Sequence, residues 1–338
     1  MKPRRIALAG TGGVVALASA LALAPGAIAD PTALASASCT PVTNIEAIID
    51  DSGSMSFTDP DKLRVSALQL LIDTPGNEKV TLGAVEFGGS FDPSVPSAET
   101  IFAPQLIGPN ASAMKAALAA KILADNGTTD YNAAFARAAA DNPNANARIF
   151  LTDGAHNAGE YTNGHRGGPP TYVIGFSSAT IGTDGDRLRT IASETGGRAF
   201  LETDQGNLQS VMNEIGTTLT CQSPPKTFRD TLAAGQSKRH AVSIATKARS
   251  AQLTLSWSSP LDQFTIGQLR IVKRGRVVAV ASRKRHLKLT TRRGSTFLVV
   301  KVGNLTRGKL QFKVRATRIG SGAPSVSLTT QVTQSRRR

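Results

Sequence analysis

Between residues 45 and 219, short apolar runs alternate with longer segments of helical periodicity, and this alternation sets the fold class. Short apolar runs that end in turn residues are typical of buried strands, whereas apolar positions three and four residues apart indicate helices. The predicted strands are Ile45–Asp50, Val80–Phe87, Arg148–Thr152, Tyr172–Phe176 and Arg198–Glu202, with Glu99–Pro104 as an edge strand. The predicted helices are Asp61–Asp73, Ala111–Ala124, Tyr131–Ala140, Asp186–Glu194 and Gly206–Leu219. This order predicts an α/β fold with a doubly wound, mostly parallel sheet that helices cover on both faces.

Charge divides the 338-residue chain into two parts. Residues 30–222, the acidic half, carry 11 Lys and Arg and 22 Asp and Glu, whereas residues 223–338, the basic half, carry 25 and 2. A composition shift of this kind marks a domain boundary. We predict an acidic α/β domain at 30–222, a short stiff linker at 223–225, a basic domain at 226–334 and a basic tail at 335–338.

The basic half has the pattern of a smaller all-β sandwich. Residues 252–258, 309–316 and 326–332 alternate apolar and polar side chains, as half-buried strands do. The segments Lys273-Arg274-Gly275-Arg276 and Arg292-Arg293-Gly294 are predicted to be turns between strands. Short alternating strands joined by glycine turns are typical of sandwiches and jelly rolls.

The first 29 residues have the features of an export signal. Lys2, Arg4 and Arg5 precede an Ala- and Leu-rich run that ends at Ala27-Ile28-Ala29, a cleavage site of small residues. The alternative is a membrane anchor, but Gly and Pro interrupt the run. We therefore expect a secreted or envelope-associated protein, in which Cys39 and Cys221 bracket the acidic half and form a disulfide.

Oxygen-bearing side chains follow two predicted strands and precede one predicted helix. Asp50, Ser52 and Ser54 lie at the end of the first strand, Asp153 follows the strand 148–152, and Thr129 precedes the helix that begins at Tyr131. In doubly wound sheets, ligands bind at the carboxyl ends of the strands, where the strand order reverses. Hydroxyl and carboxylate oxygens favour a hard cation, for which Mg²⁺ is the best candidate, with Mn²⁺ or Ca²⁺ as alternatives.

With these residues, positions 42–220 resemble a von Willebrand factor type A domain with a metal-ion-dependent adhesion site. The stretch Leu188–Phe200 is similar to the penultimate helix and strand of bacterial members. The resemblance implies that Ser52, Ser54 and Thr129 bind the metal directly. It also implies that Asp50 and Asp153 bind directly or through water, and that a partner's carboxylate takes the remaining coordination position.

Other interpretations of the same residues exist. The hydroxyls and aspartates also suit helix caps and turns. A metal-dependent hydrolase could use the same aspartates, although the sequence contains neither an HExxH nor a G-x-S-x-G motif. His156 and His165 lie in a Gly-rich polar loop, where we expect them to be solvated rather than to contact a ligand.

The charge of the basic half predicts contact with an anionic envelope polymer. The densest cluster contains the residues Arg283, Lys284, Arg285, Lys288, Arg292 and Arg293. The alternatives are protection of sheet edges and packing against the acidic half. We therefore expect a secreted, non-enzymatic binding or adhesion protein. Its acidic half would bind a partner carboxylate through Mg²⁺. The alternative is that the protein is the scaffold subunit of an exported enzyme complex.

Overall fold

A mixed six-stranded sheet with helices on both faces forms the first part of the fold. The computed structural model describes residues 41–88, 96–123, 127–154, 156–176, 183–203, 207–221, 225–280 and 287–336. The strands are β1 (Asn44–Asp50), β2 (Thr81–Phe87), β3 (Ala98–Leu106), β4 (Ala147–Thr152), β5 (Thr171–Phe176) and β6 (Arg198–Thr203). The helices are α1 (Met55–Thr58), α2 (Leu63–Asp73), α3 (Ile107–Lys121), α4 (Tyr131–Asp141), α5 (Thr183–Glu194) and α6 (Leu208–Leu219).

The strand order β3-β2-β1-β4-β5-β6 places the crossover point between β1 and β4. All neighbouring strands are parallel except β2 and β3, which are antiparallel. The predicted doubly wound fold is therefore confirmed, and Glu99–Pro104 lies in an edge strand as expected. Because the strand order reverses between β1 and β4, the loops after these two strands border the crevice where ligands bind in such folds.

Alternation along β1 divides the interior into two cores. Ile45, Ala47 and Ile49 belong to the core beneath α2, α3 and α6, whereas Ile48 belongs to the core beneath α4 and α5. Strand side chains point alternately to opposite faces, so a strand covered on both sides must be apolar throughout. Glu46 and Asp50 are the buried exceptions on the second face.

Helix α3 begins at Ile107 rather than at the predicted Ala111. Gly108 and Pro109 in the predicted connection made an earlier start hard to recognise. Proline is tolerated in the first turn because the N–H groups there have no partner within the helix. The buried side chain of Ile107 fixes this first turn against the core.

Two antiparallel sheets form the second part of the fold and confirm the predicted sandwich. One contains β11 (Arg276–Val280), β10 (Gln263–Lys273), β14 (Lys309–Arg318) and β8 (Ser237–Ser243), in that order. The other contains β12 (Lys288–Arg293), β13 (Phe297–Gly303), β9 (Ala248–Trp257), β15 (Val326–Arg336) and β7 (Lys226–Leu232). The core between them includes Trp257, Phe264 and Phe312. At the first predicted turn, Lys273 pairs with Arg276 while Arg274 and Gly275 have φ of 49° and 77°, as a tight hairpin requires. The second turn begins later than predicted, because Arg292 and Arg293 pair with β13 and end β12.

Helices α2 and α6 of the acidic half pack against the five-stranded sheet of the basic half. The contact contains a small apolar cluster of Leu70, Phe297 and Val299. Around α6 the contact is polar and buried. There, Asn213 Nδ2 donates to Gln331 Oε1 (2.9 Å), and Thr254 Oγ1 donates to Asn213 Oδ1 (3.2 Å). Residues Thr40–Arg338 accordingly form one compact unit.

Replacing Asn213 with alanine is expected to lower the free energy of unfolding by about 1–3 kcal/mol, because it leaves the buried Gln331 and Thr254 without their partner. Chemical denaturation monitored by circular dichroism measures the loss. The exposed Ser193→Ala on α5 is the control and should change stability little. An Asn213→Ala variant as stable as the control would contradict the buried network.

The predicted signal (1–29), Cys39, residues 223 and 224 of the linker and Arg283–Arg285 lie outside the described residues. Cys221, just after α6, is not a free thiol. The bridge between Cys39 and Cys221 stays a prediction. In the part of the chain that the structure describes, no helix has the length and hydropathy needed to span a membrane.

Candidate metal centre

Asp50 ends β1 at the centre of the candidate site. Thr152 Oγ1, at the end of β4, donates to Asp50 Oδ2 (2.5 Å), and Ser52 N–H donates to Asp50 Oδ1 (2.9 Å). Both carboxylate oxygens are thus held in place, and the side chain is fully buried. The hydrogen bond between neighbouring strands fixes the β1 loop relative to the end of β4.

Asp153, which follows β4, also connects the loop after β4 to the loop after β1. Ser54 Oγ donates to Asp153 Oδ1 (2.8 Å), and the Thr58 hydroxyl donates to Oδ2. The hydroxyl oxygens of Ser52 and Ser54 lie 3.1 Å apart. The structure therefore places Asp50, Ser52, Ser54 and Asp153 in one hydrogen-bonded cluster at the predicted edge of the sheet.

Thr129 is buried and is bound to the loop that follows β4. Its N–H donates to Asn157 Oδ1 (2.7 Å), and its carbonyl oxygen accepts from Asn157 N–H (3.0 Å). Tyr131, the first residue of α4, donates from its hydroxyl to the carbonyl oxygen of Gly154 (2.5 Å). These contacts hold the segment before α4 against the residues that follow Asp153.

The neighbouring carboxylate, Asp51, serves a different purpose. Arg64 of α2 is fully buried and binds Asp51 Oδ1 (2.8 Å) with one nitrogen and Asp59 Oδ2 (2.9 Å) with the other. Asp59 also accepts the N–H groups of Leu63 (2.6 Å) and Arg64 (3.0 Å), which caps the start of α2. Asp51 is thereby neutralised, and Asp50 is the acid that faces the cluster.

The donor set fits a divalent cation. In the described ranges, the hydrogen-bonding partners of Asp50 and Asp153 are hydroxyls and a backbone N–H, with no basic side chain among them. Burial, together with the charge of Asp153, raises the pKa of Asp50 to about 6, against the lowering effect of its hydrogen bonds from Ser52 and Thr152. Two adjacent carboxylates with hydroxyl neighbours suit Mg²⁺, Mn²⁺ or Ca²⁺.

Besides Asp50 and Asp153, the ligands of the cation must be hydroxyl oxygens. Within the described residues, no group of three or more His, Cys, Asp and Glu side chains could hold a metal ion. Thr152 and Thr58, which position the two aspartates, were not identified from the sequence. The position of Thr152 at the end of a strand, just before Asp153, was an available signal, whereas nothing in the sequence pointed to Thr58.

The expectation that His156 and His165 are solvated is wrong. Both are buried, at 8% and 0% exposure. His156 Nδ1 accepts the N–H of Tyr131 (3.0 Å), and His165 lies between the Tyr161 hydroxyl (2.6 Å) and Glu194 (2.7 Å). Their loop packs against the start of α4, where aromatic rings cover the imidazoles, so these histidines support the loop beside the site.

The described members of the basic cluster, Lys288, Arg292 and Arg293, face different surroundings. Arg292 donates to the Asp73 carbonyl oxygen (3.1 Å) and pairs with Glu78 (3.5 Å), both in the acidic half. Arg293 donates to the Phe264 carbonyl oxygen within the sandwich (2.7 Å). Lys288 is exposed. Adjacent strand residues point to opposite faces, which separates the two arginines.

Fold and site together define a class: a doubly wound α/β domain with an oxygen-only cluster at the β1–β4 crossover, suited to a divalent cation. The profile of the von Willebrand factor type A domain matches residues 44–214. The chain belongs to the von Willebrand factor type A domain family. No curated protein matches the chain at a significant level.

Several solved structures are similar to the chain. A von Willebrand factor type A protein from Catenulispora acidiphila is 16% identical, with a TM-score of 0.43, over 88% of this chain and 63% of that one. Proximal thread matrix protein 1 of the mussel byssus, with a zinc-occupied MIDAS motif, is 16% identical (TM-score 0.43) over 58% and 50%. The manganese-loaded TRAP protein of Plasmodium vivax is 16% identical (TM-score 0.40) over 62% and 89%. The chain thus spans less than two thirds of the length of the first two.

Proposed function

We propose that this chain is a secreted, non-enzymatic binding protein of bacterial type whose acidic half binds a carboxylate of a partner protein or peptide through Mg²⁺. The observation that carries the proposal is the pair of buried carboxylates, Asp50 and Asp153, bridged by hydroxyls across two loops. A buried pair of like charges with only hydroxyl and amide partners is costly unless a cation compensates it.

The proposed ligands are Asp50, Ser52, Ser54, Thr129 and Asp153. Bound there, the cation supplies a positive charge and a coordination position for an acidic group of the partner. Thr152 and Ser52 N–H hold Asp50, and Thr58 holds Asp153, so the carboxylates are oriented before the ion binds. The Arg64 ion pairs keep Asp51 out of the site.

Three further features complete the proposal. Residues 1–29 direct export, Cys39 and Cys221 form a disulfide in the oxidising compartment, and the basic half contacts an anionic envelope polymer. The excess of basic residues in residues 223–338, 25 against 2 acidic, supports the last of these.

Asp153→Ala should abolish stabilisation by Mg²⁺. For the wild type, Mg²⁺ at about 100 times its Kd is expected to raise the free energy of unfolding by roughly 2.7 kcal/mol, because the ion binds the folded state alone. Thermal unfolding of the chelator-treated protein across a Mg²⁺ titration, repeated with Mn²⁺ and Ca²⁺, measures the effect and ranks the ions. Asp186→Ala, on the exposed surface of α5, is the matched control and should respond like the wild type. A response of Asp153→Ala equal to that of the control would reject the metal site.

A further inference from the structure

The two acidic residues of the basic half are both engaged within the sandwich. Asp230 accepts a hydrogen bond from His240 Nε2 (2.7 Å). Asp262 is buried and accepts the N–H groups of Gly320 (2.9 Å) and Ser321 (3.0 Å). Neither carboxylate is therefore left to neutralise the basic surface of the sandwich.

The outer face of the sheet β11-β10-β14-β8 is basic. Along β14, Leu310, Phe312 and Val314 are buried, so Lys309, Gln311 and Lys313, which alternate with them, point outward. The neighbouring strands add Arg239, which pairs in register with Lys313, and Arg270, which pairs with Gln311. Helices α2 and α6 pack against the other sheet of the sandwich, which leaves this face uncovered in the described structure.

Three cavities that share lining residues extend from this face to the start of β9. The first, about 240 Å³, is lined by Arg239, Arg270, Gln311 and Lys313. Gln311 also lines the second, about 730 Å³. Arg270 Nε donates to Gln311 Oε1 (2.9 Å), which holds a guanidinium group at the junction of the two cavities.

The second cavity continues past the β10–β11 hairpin. Its basic residues are Lys273, Arg274, Arg307 and Lys309. Arg307 also lines the third cavity, of about 500 Å³, which adds Lys247 and Arg249. None of the three cavities has an acidic residue in its lining, and within the described ranges none of these basic residues forms an ion pair. We name the three cavities together the basic groove.

We propose that the basic groove binds an extended polymer of phosphate groups that carries no bases. The inference rests on the proposed contact of the basic half with an anionic polymer, and it assigns that contact to a place and a chemistry. Guanidinium groups match phosphate oxygens in a bidentate manner, and lysines add point charges. Alternate side chains on one strand face are about 6.6 Å apart, so Lys309 and Lys313 lie about 13 Å apart on β14 with the amide of Gln311 between them. Arg239 and Arg270 on the neighbouring strands add cations beside this row.

The lining also argues against a single-stranded nucleic acid as the occupant. Proteins that bind single strands stack the bases on aromatic side chains. The aromatic residues that line the three cavities are His240 and Phe312, and Phe312 is buried in the core of the sandwich with 1% exposure. The groove therefore offers charge and hydrogen bonds along its length without a stacking surface.

Long-chain inorganic polyphosphate is the probe, and its binding to the full chain is measured by fluorescence anisotropy in EDTA across a range of NaCl concentrations. EDTA removes divalent ions, so groove binding is measured without the metal site. The groove variant is a single protein that combines Lys273→Gln, Lys309→Gln and Lys313→Gln. The control variant combines Lys226→Gln, Arg229→Gln and Lys301→Gln, three exposed basic residues of the other sheet. Both variants lose three positive charges.

The groove variant should bind polyphosphate at least about tenfold more weakly than the wild type. The slope of log K against log [NaCl] should become less negative by about 2–3, because each contact that is lost no longer releases a counterion on binding. The control variant should keep the affinity within about threefold, and Asp153→Ala should bind like the wild type. Equal losses in the groove and control variants would overturn the proposal in favour of diffuse attraction. Equal or tighter binding of polygalacturonate, a carboxylate polymer, or of oligo-dT at the same charge would also overturn it.

A failure here is distinct from a failure of the proposed metal site. Polyphosphate binding that disappears in EDTA, or in Asp153→Ala, would reject the groove and point to the metal centre instead. Loss of the Mg²⁺ response with intact polyphosphate binding would reject the metal site and leave the groove in place.

Discussion

Replacing Arg64 with methionine is expected to lower the free energy of unfolding by about 3–5 kcal/mol, because it leaves two buried carboxylates without a counter-charge. Arg64, Asp51 and Asp59 are each at most 1% exposed, and both ion pairs are at or below 2.9 Å. Asp51 Oδ2 also accepts the N–H of Leu123 (2.9 Å), so the loss should reach the segment after α3. Urea denaturation at neutral pH measures the change.

Two comparisons separate loss of charge compensation from loss of packing. Adding Asp51→Asn and Asp59→Asn to Arg64→Met removes the uncompensated charges and should recover a large part of the stability. Lys121→Met, which breaks the exposed pair with Glu99, is the control and should cost less than about 1 kcal/mol. An Arg64→Met variant no less stable than this control would show that the buried ion pairs do not form.

Glu46→Gln is expected to stabilise the protein by about 3 kcal/mol at pH 7. Burial raises the pKa of Glu46 from 4.5 to about 8, although a hydrogen bond from Asn142 lowers it, and the nearby charge of Asp141 adds to the rise. The carboxyl group fits because Gly83 is its partner on β2, where any Cβ would lie 2.1 Å from Glu46 Oε2. Glutamine keeps an oxygen that can accept from Asn142 and carries no charge.

The gain from Glu46→Gln should depend on pH in a defined direction. The folded protein holds the Glu46 proton more tightly than the unfolded chain, so the contribution of Glu46 to wild-type stability is fully present below pH 4.5 and is lost as the pH rises towards about 8. The variant does not titrate at this position, and the difference between the two proteins should grow across that window.

Unfolding free energies of both proteins between pH 4 and pH 9 measure this difference. The exposed Glu160→Gln is the matched control and should follow the wild-type curve. A constant difference between Glu46→Gln and the wild type at all pH values would contradict a protonated Glu46 in the folded state.

The sequence located the candidate site because its residues follow strand ends. The end of a parallel strand is visible as the end of an apolar run, and topology brings the ends of neighbouring strands to one edge. The sequence alone therefore groups Asp50, Ser52, Ser54 and Asp153, which the structure joins by hydrogen bonds. Thr58 could not, since its position depends on the direction of the short helix α1.

The local sequence pattern does not predict which residues, distant in the chain, contact a given polar side chain. The polar loop around His156 and His165 is hydrophilic in composition, yet Tyr131, Tyr161 and Glu194 bury both rings. The density of basic residues around position 288 predicted one surface patch, yet alternation along β12 sends Arg292 and Arg293 to different neighbours. In both cases the deciding partners are distant in the chain.

The sequence by itself determined the division into an acidic and a basic half, the α/β and sandwich classes, and the strand ends that carry the site. Periodicity and composition record which side chains each element must bury, and that information is local. The tertiary structure alone decided that Asp51 turns to Arg64, that α6 packs against the five-stranded sheet, and that the other sheet keeps its basic face open. Those outcomes depend on which surfaces meet, and a buried charge or amide is stable only where a partner from elsewhere in the chain satisfies it.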